Sequence, residues 1–158
     1  MLVATRTITV NAAFLREIKE DNRELRSLMA RGDATIRQLR SKPVQPRTYV
    51  EYLQQFRDQL GVHFSLEEAF GYFENAMEAA PQLNFRATAL RSEHERLYKQ
   101  LGRVVELAER WLYATSENGY ADLLAQHLSN FLRRLHQHEE AEIDLIFDAV
   151  DTDIGDGD

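Results

Sequence analysis

The chain has 158 residues, 44% hydrophobic and 28% charged, a balance that suits one globular domain with a substantial core and excludes global disorder. A formal charge of −7, with no stripe of Lys and Arg, argues against nucleic acid as a partner. Cysteine is absent, which excludes disulfides, thiolate zinc sites and iron–sulfur clusters, so any metal must be held by imidazole and carboxylate.

The N-terminal residues Met1–Thr7 lack the apolar run of a signal peptide, and no segment approaches the roughly 20 apolar residues of a membrane span. A cytoplasmic protein with no membrane role is the expectation. Residues 1–10 read as a lead-in, with Thr7-Ile8-Thr9-Val10 extended. Helical periodicity then predicts a first helix from an Asn11 cap to about Arg31-Gly32, carrying Phe14, Leu15, Ile18, Leu25, Leu28 and Met29. Pro43-Val44-Gln45-Pro46 is a connector, and Thr48 with Glu51 three residues later reads as a capping box opening a second helix to about Ala79-Ala80. Pro81 prevents its continuation. A third helix spans about Asn84 to Thr115, Ser116-Glu117-Asn118-Gly119 turns the chain, and a fourth helix spans about Tyr120 to Val150. The acidic, Gly-rich residues 151–158 read as a flexible tail. Four long helices with short connections make residues 11–150 an all-α, up-down-up-down antiparallel four-helix bundle.

A histidine followed four residues later by a glutamate occurs twice, at His63/Glu67 and His136/Glu140, 73 positions apart. Upstream, Glu20-Asp21-Asn22-Arg23-Glu24-Leu25 matches Ser92-Glu93-His94-Glu95-Arg96-Leu97 at an offset of 72, so a duplicated two-helix unit is the simplest account. Residues i and i+4 lie about 40° apart on a helix and share a face. His63 and Glu67 then fall in a stripe with Phe56, Leu60 and Phe70, and His136 and Glu140 in a stripe with Leu132, Ile143 and Phe147. His94 lies among Ala87, Leu90, Leu97 and Leu101, and its counterpart Asn22 among Leu15, Ile18, Leu25 and Met29. Buried ionised carboxylates need compensation, and none of these stripes offers a Lys or Arg. A metal cation would supply it, and this ligand set suits iron, manganese or zinc. The bland alternative is a set of hydrogen-bonded core histidines, or an empty site in which imidazolium and carboxylate pair directly. His127 and His138 point about 180° to 200° away from His136 and read as solvent-side. Tyr98, one turn after His94, and Glu68, beside Glu67, stand at the site margin or in the surrounding shell.

These segments, His63-Phe64-Ser65-Leu66-Glu67-Glu68, Glu93-His94-Glu95-Arg96-Leu97 and His136-Gln137-His138-Glu139-Glu140, resemble the haemerythrin-like cation-binding (HHE) family, over about Asn11 to Val150. The resemblance implies a four-helix bundle around a non-haem di-iron centre. His63, Glu67, His94, His136 and Glu140 match its ligand positions, Asn22 stands at the helix 1 histidine, and Tyr98 stands where some members have a second helix 3 histidine. With five strong ligands, a di-metal centre with more solvent ligands, a single-metal site and a site that has lost its metal all stay open. Non-haem iron binding O2, NO or peroxide, or iron handling, is the function implied.

A ferritin-like iron oxidase would carry Glu-x-x-His, but the residues three before the five histidines are Leu60, Arg91, Leu124, Arg133 and Leu135. The competing class is a metal-free interaction or signalling bundle; His127-Leu128-Ser129-Asn130 offers poor phosphotransfer chemistry. Nothing nominates a Ser or Cys nucleophile, a catalytic acid–base pair or a phosphate loop.

Overall fold

The computed structural model describes residues 2–69 and 81–156, with side chains described over 22–69 and 81–149. Four helices carry the chain: α1 (Leu2–Ser41), α2 (Pro46–Ala69), α3 (Asn84–Tyr113) and α4 (Tyr120–Asp156). α1 packs on α2 and α4, and α3 packs on the same two, so the helices form a ring of four in chain order. No strand occurs among the described residues. The molecule is the antiparallel four-helix bundle that the spacing of apolar residues predicts.

Helix boundaries differ from the expectation in instructive ways. Thr7–Val10 is helical rather than extended, since α1 begins at Leu2. Gly32 does not stop that helix. It is buried against α4 and α2, where a Cβ would come within 2.7 Å of Leu132 Cδ1 and 3.1 Å of the Tyr52 hydroxyl, so the missing side chain is what lets the helices approach. α1 ends only at Ser41, whose hydroxyl turns back to the Arg37 carbonyl at 2.8 Å, just before Pro43. The side chains of Phe14, Leu15 and Ile18 lie outside the described residues.

α2 opens at Pro46, two residues ahead of the expected Thr48 cap. Proline suits the first helical position because the N–H it lacks would have no partner there. The link is closed by Tyr49, whose hydroxyl accepts the Val44 N–H at 3.0 Å while its ring stacks on Trp111 at 5.5 Å. The expected continuation of α2 to Ala80, including Phe70, lies outside the described residues. A single 3₁₀ turn, Pro81–Leu83, leads into α3. Between α3 and α4 the chain reverses through left-handed backbone at Asn118 (φ 46°) and Gly119 (φ 78°). The Glu117 carboxylate accepts the N–H groups of Gly119 (3.1 Å) and Ala121 (3.0 Å), satisfying first-turn donors of α4. α4 continues to Asp156, so residues 151–156 extend the helix rather than forming a loose tail.

The core has two parts. A large cluster joins all four helices, from Leu25, Leu28 and Met29 through Leu53, Phe56 and Leu60 to Leu101, Val105, Leu128, Phe131 and Leu135. A smaller one joins Leu83, Ala87 and Leu90 to Leu145 and Ala149. On α3 and α4 the residues between the two clusters are ionisable: His94, His138 and Glu142 are buried there.

Candidate metal centre

Five ionisable side chains form that layer: His63 and Glu67 from α2, His94 from α3, and His138 and Glu142 from α4. Each His–Glu pair is spaced i,i+4, which puts both groups on one helix face. His63 Nε2 lies 2.6 Å from Glu67 Oε1, and His138 Nε2 lies 2.5 Å from Glu142 Oε1. His94 stands between the pairs, its Nε2 3.2 Å from Glu67 Oε2 and 3.4 Å from Glu142 Oε1. One donor atom from each of Glu67, His94, His138 and Glu142 can be chosen so that all four lie within 4.8 Å of one another.

The far sides of the two rings are also held. His94 Nδ1 lies 3.2 Å from Glu68 Oε1, and His138 Nδ1 lies 2.7 Å from Glu93 Oε2. Such a carboxylate favours a proton on Nδ1, so that with a cation at the centre Nε2 would be the ligating nitrogen, while in the metal-free chain Nε2 faces the Glu67 and Glu142 carboxylates and is protonated. Phe64 forms a wall, stacked on His94 at 4.0 Å between centroids and edge-on to His138 at 5.7 Å. An open groove between α2 and α3, lined by Gly61, Val62, Phe64, Glu68 and Tyr98, reaches His94 from outside.

Electrostatically the layer holds itself together through its own members. Among the described residues no Lys or Arg pairs with Glu67 or Glu142. Burial pushes the Glu67 carboxyl up, but the hydrogen bond from His63 and the close positive charge of His94 outweigh it and bring it down to about 2. Burial disfavours the charged form of His94, yet its bonds to Glu142 and Glu67 prevail and raise it to about 9. His138 is raised for the same reason, against burial, by Glu142 and then Glu93. Glu139, half-buried beside this layer, is raised by burial.

A cation fits what the residues leave unfinished. Glu67 Oε2 and His138 Nε2 are buried atoms without a hydrogen bond of acceptable direction, although each has an oppositely charged neighbour at ion-pair distance. One donor atom from each of Glu67, His94, His138 and Glu142 lies close enough to the others to share one cation, and imidazole that has given up its proton, with carboxylate, is a set that binds iron, manganese or zinc.

Of the expected site residues, His63, Glu67 and His94 are brought together as described. His136 and Glu140 are not: both are exposed, and so are Ile143 and Phe147 of their stripe. His138, expected to face solvent, is 2% exposed and takes the inward place with Glu142. Steps of four from Leu132 drift about 40° each, so by Glu140 the face has turned about 80° from the axis of the core. The buried face of α4 alternates steps of three and four, through Leu124, Leu128, Phe131, Leu135, His138, Glu142, Leu145 and Ala149. That alternation was the signal available in the sequence for His138 and Glu142; Glu93 carried none, because its role depends on a partner helix. His127 is exposed as expected, and Asn22 is half-buried. Tyr98 is 42% exposed and lies across Gly61 on the outer face, its ring 3.2 Å from where a Gly61 Cβ would stand, so it lines the groove rather than the centre. Glu68, expected at the margin, touches His94.

No described helix is long and apolar enough to cross a membrane. A family model described as the hemerythrin HHE cation binding domain matches residues 13–150. No curated protein and no solved structure matches the chain significantly.

Proposed function

We propose, on the premise that this chain belongs to the hemerythrin HHE cation-binding domain family, that it is a cytoplasmic non-haem iron protein whose cation sits among Glu67, His94, His138 and Glu142. The carrying observation is the placement of the donors: two imidazoles held from behind by Glu68 and Glu93, and two buried carboxylates, converge where, among the described residues, no Lys or Arg neutralises them. Iron bound there would supply Lewis acidity and a redox electron for O2, NO or peroxide. The chain's own residues hold the donor geometry, balance charge through Glu67 and Glu142, and exclude bulk water with Phe64 and the leucines on either side. The groove beside Tyr98 and Gly61 offers a small ligand its approach to His94. Manganese or zinc would satisfy the same donors. The partner is a small ligand, neither nucleic acid nor membrane.

Protein produced with iron supplementation and analysed by elemental analysis should carry iron, and its ultraviolet–visible spectrum should differ between air and argon. Metal-free protein after supplementation and anaerobic reconstitution would refute the reading. A second reading rests on the same pairs: with His94 protonated between Glu67 and Glu142, the layer is self-neutralised and the bundle could act without metal as an interaction module. That reading requires the same experiment to return no bound metal.

A further inference from the structure

We infer that the seam between α3 and α4 is a docking surface for an acidic helix of a partner protein. The inference stands apart from the metal reading and survives its failure.

Arg96, Arg103 and Arg110 stand seven residues apart, and each such step drifts only about 20° around a helix, so the three share one face of α3 although the sequence shows no run of cations. All three are exposed, and α4 adds the exposed Arg134 and His127 from the other side of the seam. Arg134 Nη1 crosses to Gln100 Oε1 at 3.0 Å, a neutral partner that leaves the arginine's charge unspent. Two cavities, of about 520 and 230 Å³, lie along this seam and meet at Arg134, which lines both. From Arg96 to Arg110 the helix rises about 21 Å.

Charge along this groove runs against that of the whole chain, which is −7. Of the two acids among the described lining residues, Glu93 is tied to His138 at 2.7 Å, which leaves Glu106 to face four arginines. Two other cations of α3 are answered, Arg86 by Asp148 and Lys99 by Glu95, but among the described residues none of the four seam arginines is in an ion pair. Like charges gathered on one surface repel, and an acidic partner relieves that repulsion. The groove also offers apolar contact, since Leu107 is half-buried and Leu123 is 42% exposed. A third helix laid along the seam would seat apolar side chains on these leucines and carry its carboxylates to the arginines on either side. Nucleic acid fits less well. Over about 21 Å of axis a duplex presents about 12 phosphates, far more than four arginines answer, and Glu106 and the net charge repel the remainder.

The test is fluorescence anisotropy on the full chain with a labelled synthetic peptide of about 20 residues, an amphipathic helix with leucines on one face and glutamates flanking them. The same peptide with glutamine for glutamate, and a DNA duplex of about 20 base pairs, are the rivals. At about 0.01 M salt the acidic peptide should bind with a Kd of about 100 µM or tighter, at least about tenfold tighter than either rival. Its binding should weaken about tenfold by about 0.1 M salt, as the screening length falls from about 30 Å to about 10 Å. At the higher salt, Arg103→Glu with Arg134→Glu should weaken it at least about tenfold more. Arg26→Glu with Arg37→Glu makes the same charge change at exposed positions of α1 and should alter binding less than about threefold. Circular dichroism checks that both double variants fold. No binding of the acidic peptide at about 1 mM, equal binding of the glutamine peptide, tighter binding of the duplex, or equal losses in the two double variants would overturn the inference. So would sedimentation showing a wild-type dimer that Arg103→Glu with Arg134→Glu dissolves, because the occupant would then be a second copy of the chain.

Discussion

Replacing His138 by alanine, with His136→Ala as its companion, separates two registers of α4 that differ by two residues. In metal-free protein, His138→Ala removes the 2.5 Å contact to Glu142 and the 2.7 Å contact to Glu93. Breaking a buried ion pair by deleting one partner costs about 3–5 kcal/mol. The lower end applies, because Glu142 keeps His94 at 3.4 Å and the half-exposed Glu93 can turn to water. At about 2–4 °C per kcal/mol for a chain of this size, a loss of about 3 kcal/mol lowers the melting temperature by roughly 6–12 °C. His136→Ala changes an exposed residue with no partner in the layer and should stay within about 0.5 kcal/mol. Metal binding should divide the same way. Losing an outer partner weakens a site about 10–100-fold, and losing a donor should exceed that, so His138→Ala falls beyond about 100-fold while His136→Ala is unchanged. Melting in chelator followed by circular dichroism, together with metal titration, reads both quantities. If His136→Ala loses metal or stability and His138→Ala does not, the register and the site built on it are wrong.

Stability of the metal-free protein should fall from about pH 6.5 to 9: His94 is raised to about 9, so its contribution is complete below its unfolded value and lost as it deprotonates in the folded state. Glu67, lowered to about 2, has the opposite sign, contributing fully above its unfolded value near 4.5 and losing that contribution as pH falls toward 2. Protons compete with metal for the same imidazoles, so the rise in melting temperature caused by metal should grow with pH over pH 6.5–9. Melts in chelator that become more stable over that interval would count against the His94 pairing. Two glycines should respond with opposite signs in urea unfolding. Gly32→Ala places a methyl 2.7 Å from Leu132 Cδ1 in a closed contact, and a packing cost of about 1–3 kcal/mol exceeds the helix-propensity gain of about 1 kcal/mol. Gly102→Ala meets nothing within 4 Å and should stabilise α3 by about 0.5–1 kcal/mol. Tyr52→Phe deletes the buried hydroxyl that donates to the Leu28 carbonyl at 2.5 Å and should cost about 1 kcal/mol in the same assay, leaving metal stoichiometry unchanged.

Much of this protein follows from local rules alone. The 3.6-residue period of its apolar residues, the prolines at 43, 46 and 81, and the Asn118-Gly119 turn dictate four helices, and their short links dictate a bundle. His63, Glu67 and His94 could be placed at the core because they sit among buried leucines and phenylalanines within one or two turns, where an error in helical phase has no room to grow. On α4 two His–x₃–Glu pairs overlap, at 136/140 and 138/142, and a short window does not distinguish them. Only packing against α1 and α3 selects the second, because the core face of a long helix is the one its partners cover, and that face follows alternating steps of three and four. The same holds for Glu93, which reads as an ordinary surface acid, and in part for Glu68, which its place beside Glu67 puts only at the site margin: it is the approach of α3 to α2 and of α4 to α3 that puts each behind an imidazole. Orientation between helices is a property of the assembled bundle, since no residue encodes the position of an atom on another helix until the core closes between them.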